Sequence, residues 1–164
     1  VLAGARRIAG DYLLMMADHL FERDILDRLL RQPQRDSGVL LAVDRRLDNP
    51  LVDPDDATWV RTRTDGSIAA IGKALQGADA IDCGAFLATP QLARGIAEAI
   101  AAGAAGSLSD GMQRLADGGR AATMPIDGGW WLDVDDRHAL ALAEAQAPVR
   151  LADLYSEVLT GTSS

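Results

Sequence analysis

YLLMMAD, residues 12–18, is a short continuous apolar run that ends in an aspartate. Such a run is typical of a strand covered on both faces in the middle of a sheet. Apolar residues at helical spacing follow from residue 21 to 30 and stop before Pro33. GVLLAVD, residues 38–44, is a second apolar run that ends in an aspartate. The order strand, helix, strand predicts a βαβ unit with a parallel strand pair, and hence the α/β class.

The segment from residue 57 to 73 interrupts this alternation. Its two halves flank Asp65-Gly66, a dipeptide suited to a two-residue hairpin turn. Pairing outward from the turn sets Val60 opposite Ile71 and places Lys73 on the same inner face. We therefore predict an antiparallel hairpin inserted into a twisted mixed, mostly parallel sheet that is flanked by helices.

The remaining elements follow from capping and turn signals. AIDCGAFLA, residues 80–88, indicates another strand, and Thr89-Pro90 caps and begins the helix after it. Ser107 and Asp110 resemble a capping box for a further helix. Strands near 120–126 and 130–134 then precede a closing helix, which we expect to end at Ala147 before Pro148, with a short helix and a polar tail over 148–164.

Composition bounds the classes of function. The 164 residues suit one domain, and the 24 acidic residues outnumber the 16 basic ones to give a net charge of -8, which argues against nucleic acid as a partner. Cys83 is the one cysteine, so an internal disulfide and a cysteine zinc cluster are both excluded. No apolar window is long enough to span a membrane. The prediction is a cytoplasmic protein.

Two aspartates, Asp18 and Asp133, each close a predicted buried strand. Ligands of open α/β sheets sit beyond the carboxyl ends of the strands, where a carboxylate suits a metal-bound polyphosphate. The alternative is that each aspartate only caps a turn or a helix. Asp135 is a further metal candidate, although alternate residues of a strand point to opposite faces. The pair predicts a divalent-metal site for nucleotide chemistry.

Lys73 is the only lysine among the 16 basic residues. A lysine on the inner face of a hairpin needs an anionic partner, which a substrate phosphate would supply. The alternative is a lysine just past the strand end whose ammonium group reaches solvent. His19 is interpreted as a satisfied hydrogen-bonding residue and Cys83 as a small core residue. No arrangement for covalent catalysis stands out.

Five segments in order resemble the sugar-phosphate nucleotidyltransferase family, and among its members the inositol-1-phosphate cytidylyltransferases that make CDP-inositol. They are LLMMADHLF at 13–21, DGSIAAIGKAL at 65–75, AIDCGAFLATP at 80–90, SLSDGMQRLA at 107–116 and WWLDVDD at 130–136. The resemblance implies a Rossmann-like sheet that binds a nucleoside triphosphate, with CTP favoured, and a sugar or inositol phosphate. It implies that 1–147 is the C-terminal two-thirds of the catalytic domain, the nucleotide loop lying before Val1.

The resemblance also assigns roles to residues. Positions matching Asp18 and Asp133 hold Mg²⁺ on the triphosphate, and a lysine matching Lys73 contacts the acceptor phosphate. Positions matching Asp82, Cys83 and Gly84 line the acceptor pocket. In bifunctional relatives a membrane alcohol-phosphatidyltransferase domain follows, here after Ser164. The family's Thr-Pro-Glu at the start of the last helix is replaced by Asp136-Arg137-His138, which is a departure at the helix cap.

Two other functions remain open. Asp133 and Asp135 could form the Asp-x-Asp metal motif of a nucleotide-sugar glycosyltransferase, although the motif lies nearer the C-terminal end than that class requires. The domain could also be a non-catalytic nucleotide-binding or regulatory domain. Released pyrophosphate against released nucleoside diphosphate distinguishes the two enzymes. As given, the chain is expected to bind triphosphate poorly, because the nucleotide loop would precede it.

Overall fold

The computed structural model describes residues 1–5, 7–32 and 38–153. Over this part the chain forms a mixed sheet with helices on both sides and a second, two-stranded sheet. The elements are α1 Leu2–Ala5, β1 Tyr12–Met15, β2 His19–Phe21, α2 Arg23–Arg31, β3 Val39–Asp44, β4 Trp59–Thr62, β5 Ile68–Gly72, β6 Ala80–Ala88, α3 Pro90–Ala101, α4 Leu108–Asp117, β7 Ala121–Pro125, β8 Trp131–Asp133 and α5 Arg137–Arg150.

The main sheet has the order β5-β4-β6-β3-β7, and β1 pairs with the C-terminal half of β6. The mixed α/β class with helices on the sheet and an antiparallel hairpin is confirmed. Among the described strands, however, β3 and β7 make the one parallel pair, and the other pairings are antiparallel. The expected direct pairing of β1 with β3 is wrong, because β6 lies between them.

The hairpin forms as predicted at its centre. Val60 pairs with Ile71, and a register shift after Arg61 moves Thr62 opposite Ile68. β5 ends at Gly72, one residue before Lys73, whose side chain is 62% exposed. The inner-face position predicted for Lys73 is therefore wrong, because the strand stops before the alternation of faces reaches this residue.

The core lies on the two faces of β6, whose side chains alternate between them. Ile81, Cys83 and Ala85 pack with α2 on one face. Phe86 and Ala88 pack with α3 and α4 on the other. A third cluster joins β8 to α5. β1 is less buried than predicted. It ends at Met15, and that residue is 45% exposed.

Helix starts follow the capping signals, whereas the last helix end does not. Thr89 accepts a hydrogen bond from the Gln91 amide, and Ser107 with Asp110 forms the complete capping box. α5 continues through Pro148 to Arg150, so the boundary predicted at 147 falls inside a helix. A proline in the last turn removes only one backbone donor, which the helix tolerates there. The short helix and tail predicted beyond residue 153 lie outside the described residues.

No helix in the described ranges combines the length and the apolar character that crossing a membrane requires.

Candidate active site

The two-stranded sheet brings Asp18 and Asp133 together from opposite ends of the chain. β2 and β8 run antiparallel with His19 opposite Asp133, and the Val134 amide donates to the Asp18 carbonyl at 2.9 Å. Neither aspartate closes a strand of the main sheet. Asp18 lies in the turn before β2, and Asp133 ends β8. Their proximity therefore comes from a local ribbon and not from the main sheet.

His19 links the two carboxylates. Its Nδ1 lies 3.0 Å from Asp18 Oδ1 and 3.4 Å from Asp133 Oδ1. The nearest oxygens and ring nitrogens of these three residues all fall within 4.8 Å of one another. One small cation can reach such a set, so the three side chains form a candidate metal centre.

Asp133 carries an unsatisfied oxygen. Its Oδ1 is buried, and no described group completes a hydrogen bond to it. Burial raises the pKa of Asp133 to about 6; His19 lowers it, and the carboxylates of Asp135 and Asp18 raise it further. A buried carboxylate oxygen without a donor is costly unless a cation or a proton meets it. The donor set of carboxylate oxygens is the kind that Mg²⁺ prefers, so these residues fit that ion.

A second acidic group adjoins the first through Asp133. Oxygens of Asp56, Asp133 and Asp135 lie within 4.8 Å of one another. Burial and the neighbouring Asp56 raise the pKa of Asp135. The carboxylates of Asp135 and Asp133 lie close together because β8 ends at Asp133, so the alternation of strand side chains does not extend to residue 135. Asp136 instead caps α5 by accepting from the Ala139 amide at 2.7 Å.

Lys73 stands across from these carboxylates. It forms an exposed ion pair with Asp56, which raises the pKa of Lys73 and lowers that of Asp56. Asp133 and Asp135 add to the negative field at Lys73. Lys73 therefore has a carboxylate partner, Asp56, at the cleft.

All of these side chains line one cleft of about 720 Å³ between the two sheets, α4 and α5. Its walls include Asp18, His19, Lys73, Asp82, Gly84, Asp133 and Asp135, and an apolar side made by Leu51, Val52, Phe86, Leu108 and Leu142. A cleft of this volume holds a ligand of nucleotide or sugar-phosphate size.

Known proteins share both sequence and fold with this chain. The bifunctional IPC transferase and DIPP synthase of Thermococcus kodakarensis is 32% identical over 131 residues, which are 79% of this chain and 27% of that protein. No family model matches the chain.

Solved structures agree in fold. The inositol-1-phosphate CTP transferase from T. maritima superposes with a TM-score of 0.72 at 18% identity, over 99% of this chain and 62% of that one. A protein described as a glucose-1-phosphate thymidylyltransferase from Bacillus anthracis, solved with sucrose, gives 0.72 at 15% identity over 90% and 59%. The predicted resemblance to the sugar-phosphate nucleotidyltransferase family is confirmed.

The chain spans about a quarter of the curated nucleotidyltransferase relative, 27% of its length, and about three-fifths of the two solved structures.

Of the three residues that the resemblance assigns to an acceptor pocket, two line this cleft and one does not. Asp82 and Gly84 line the cleft. The Asp82 carboxylate accepts from the Gly84 amide at 2.7 Å, and burial raises the pKa of Asp82 to about 6. Cys83 does not line the cleft. Its side chain points from the opposite face of β6 into the core against α2, so it contributes packing and not a pocket wall.

Three residues of this candidate site were not predicted from the sequence to belong to it. Asp56 lies in a loop with no periodic pattern, and only its position in an acidic run indicates it. His19 is the satisfied hydrogen-bonding residue that was predicted, but its partner is Asp18 of the candidate metal centre. Trp131 is buried, and its ring also stacks on His19 with centroids 5.8 Å apart. The roles of Asp18, Asp133 and Lys73 stay predictions.

Proposed function

We propose that this chain supplies the metal and acceptor side of a Mg²⁺-dependent nucleotidyltransferase that joins a nucleoside triphosphate, with CTP favoured, to a sugar or inositol phosphate. The observation that carries the proposal is the β2–β8 register, which sets Asp18 beside Asp133 in the cleft that also takes Lys73 and Asp82. The relatives support the substrate classes, since one is described as an IPC transferase and DIPP synthase and another as an inositol-1-phosphate CTP transferase.

The reaction proposed is an in-line transfer. An oxygen of the acceptor phosphate attacks the α-phosphorus of the triphosphate, the bond from that phosphorus to the β-bridging oxygen breaks, and pyrophosphate leaves. Bound Mg²⁺ would neutralise charge on the phosphates, and Asp18 and Asp133 would hold it there. No side chain needs to form a covalent intermediate, because positioning and charge neutralisation suffice for this chemistry.

Lys73 is assigned to the acceptor phosphate. Its ammonium group is exposed at the cleft and is held by Asp56. An incoming phosphate dianion would compete with Asp56 for that ammonium group, because both are anions within reach of a flexible side chain. Asp82, which is partly buried on β6, would accept a hydrogen bond from an acceptor hydroxyl.

Product analysis tests the proposal on the protein that carries this chain. With CTP, inositol 1-phosphate and Mg²⁺, we expect released pyrophosphate and a CDP-linked product. Lys73→Gln should raise the KM for the acceptor about tenfold or more through the lost phosphate contact. Asp55→Asn, an exposed change in the loop that carries Asp56, should leave the KM unaltered. No pyrophosphate with any sugar phosphate and triphosphate tried would overturn the proposal.

A second candidate is a nucleotide-sugar glycosyltransferase. It is favoured by one observation, the convergence of Asp133 and Asp135 in an Asp-x-Asp sequence on the cleft. Such an enzyme would release a nucleoside diphosphate from a nucleotide sugar instead of pyrophosphate. The same product assay, repeated with nucleotide sugars, therefore decides between the two.

A further inference from the structure

His19 is more buried than either carboxylate of the candidate metal centre. Its ring stacks against Phe21, with centroids 6.0 Å apart, and against Trp131, at 5.8 Å. The ring also lies against Gly84, where a Cβ atom would come within 2.6 Å of His19 Cδ2. Only 10% of the side chain is exposed, whereas Asp18 and Asp133 are 48% and 32% exposed. The imidazole is therefore fixed before any ligand arrives.

The polar edge of this fixed ring faces the two aspartates. Nδ1 lies 3.0 Å from Asp18 Oδ1 and 3.4 Å from Asp133 Oδ1. Both neighbours are acceptors when ionised, so the proton belongs on Nδ1. The contact to Asp18 is a hydrogen bond. The contact to Asp133 is not, and this leaves Asp133 Oδ1 buried without a described donor.

We propose that His19 is a positioning residue of the metal site: its Nδ1–H fixes the carboxylate of Asp18 while Asp133 Oδ1 stays open to the cation. Asp18 is the aspartate that needs such a partner, because about half of its side chain is exposed, 48% against 32% for Asp133. This inference rests on the proposed function for the identity of the cation, Mg²⁺.

A role as a direct ligand is less suited to His19. Mg²⁺ takes oxygen ligands, whereas imidazole suits zinc, copper, nickel and iron. Groups that hydrogen-bond a metal-binding side chain orient it, and their loss typically lowers metal affinity about 10–100-fold. The packing of His19 against Phe21 and Trp131 serves that purpose, since a donor can orient a carboxylate only if it is itself fixed.

The test uses Mn²⁺ alone, in place of Mg²⁺, titrated into this chain and followed by electron paramagnetic resonance. His19→Phe keeps a stacking ring but removes the donor, so we expect its Mn²⁺ affinity to fall about tenfold or more. His138→Phe is the matched control, because His138 lines the same cleft outside the metal set. It should bind Mn²⁺ as the unaltered chain does. Circular dichroism melts check that each variant folds.

An amide pair separates orientation from packing. The side-chain nitrogen of His19→Asn falls near the place of Nδ1, whereas that of His19→Gln falls near Nε2. We expect the asparagine variant to stay within about threefold of the unaltered affinity and the glutamine variant to fall about tenfold. Equal affinities for these two variants, or an unaltered affinity for His19→Phe, would overturn the proposal.

Three outcomes are decisive. A strong nitrogen coupling to Mn²⁺ in spin-echo spectra would make His19 a ligand and overturn the positioning role. If the unaltered chain binds no Mn²⁺, the metal centre of the proposed function fails, and this inference fails with it. If Mn²⁺ binds but the His19 variants bind it equally well, only this inference fails.

Discussion

The indole Nε1 of Trp131 donates a hydrogen bond to Oδ2 of Asp44 at 3.0 Å, and this bond ties the candidate site to the core. Asp44 is 1% exposed and also accepts from Arg46 and Asn49. The Trp131 ring then stacks on His19. A buried carboxylate thus fixes the indole against which the histidine of the candidate metal centre packs.

Replacing Asp44 by alanine should destabilise the fold. The change leaves the Asn49 amide and the Trp131 indole without this acceptor, whereas the half-exposed Arg46 guanidinium keeps the Gly129 carbonyl. A buried donor that loses its acceptor typically costs about 1–3 kcal/mol. Urea unfolding at pH 7 measures the loss. Asp48→Ala, an exposed neighbour, should change the free energy of unfolding by less than about 0.5 kcal/mol. Equal stabilities of the two variants would contradict a stabilising role for the Asp44 carboxylate.

The same carboxylate predicts a loss of stability in acid. Burial on its own would raise the pKa of Asp44, but hydrogen bonds from Arg46, Trp131 and Asn49 outweigh it and hold the pKa below its usual 3.8. Because the folded pKa lies below the unfolded one, Asp44 contributes stability above about pH 4, which disappears as the pH falls through the folded value. Below pH 4 the unaltered chain should therefore lose stability more steeply than Asp44→Asn. Parallel curves of unfolding free energy against pH would count against this.

Asp82 predicts the opposite dependence of folding stability on pH. Burial raises its pKa to about 6, although the Gly84 amide and His19 lower it. A folded pKa above the unfolded one means that ionised Asp82 destabilises the fold above pH 6 and that this penalty fades as the pH falls towards 4. Asp82→Asn should stabilise the chain by about 1–2 kcal/mol at pH 8, a value reduced because the side chain is partly exposed, and by little at pH 4.5. Thermal melts at the two pH values provide the comparison, and destabilisation at both would refute it.

Gly84→Ala should disturb both the strand and the metal site. Gly84 has a φ of 77°, and an added Cβ would meet the His19 ring at 2.6 Å. The left-handed backbone alone costs a non-glycine residue about 1–2 kcal/mol. We expect lower stability together with weaker Mn²⁺ binding, because the His19 ring must move.

Gly66→Ala is the control: its φ is 79°, but a Cβ there meets nothing within 4 Å. It should lose stability and keep its Mn²⁺ affinity. Loss of Mn²⁺ affinity in both variants alike would argue against a specific effect at His19.

The sequence predicted this fold best where a pattern is local. Thr89, the Ser107–Asp110 box and the Val60–Ile71 pair follow from neighbouring residues, and all are present. Strand neighbours were predicted less well. A continuous apolar run shows that β1 is a strand, but it does not reveal that β6, from much later in the chain, separates β1 from β3.

The candidate site also depends on contacts between distant parts of the chain, which local patterns do not reveal. That Asp18 and Asp133 meet follows from the β2–β8 ribbon, whose three-residue strands are too short to leave a periodic signal. Cys83 was placed in the pocket by likeness to the family, whereas strand alternation puts it on the opposite face of β6 from Asp82. Asp56 belongs to a loop, and its contact with Lys73 depends on tertiary structure alone.

We propose that Asp18 and Asp133 share one divalent cation, and a double-mutant cycle that measures Mn²⁺ affinity tests this sharing. We expect one tight Mn²⁺ per chain and a loss of about tenfold or more in each of Asp18→Asn and Asp133→Asn. The loss in the double variant should differ from the sum of the two single losses, because both carboxylates contact the same ion. Asp48→Asn serves as the matched control and should bind as the unaltered chain does. Independent, fully additive losses, or affinities equal to that of the control, would contradict a shared site.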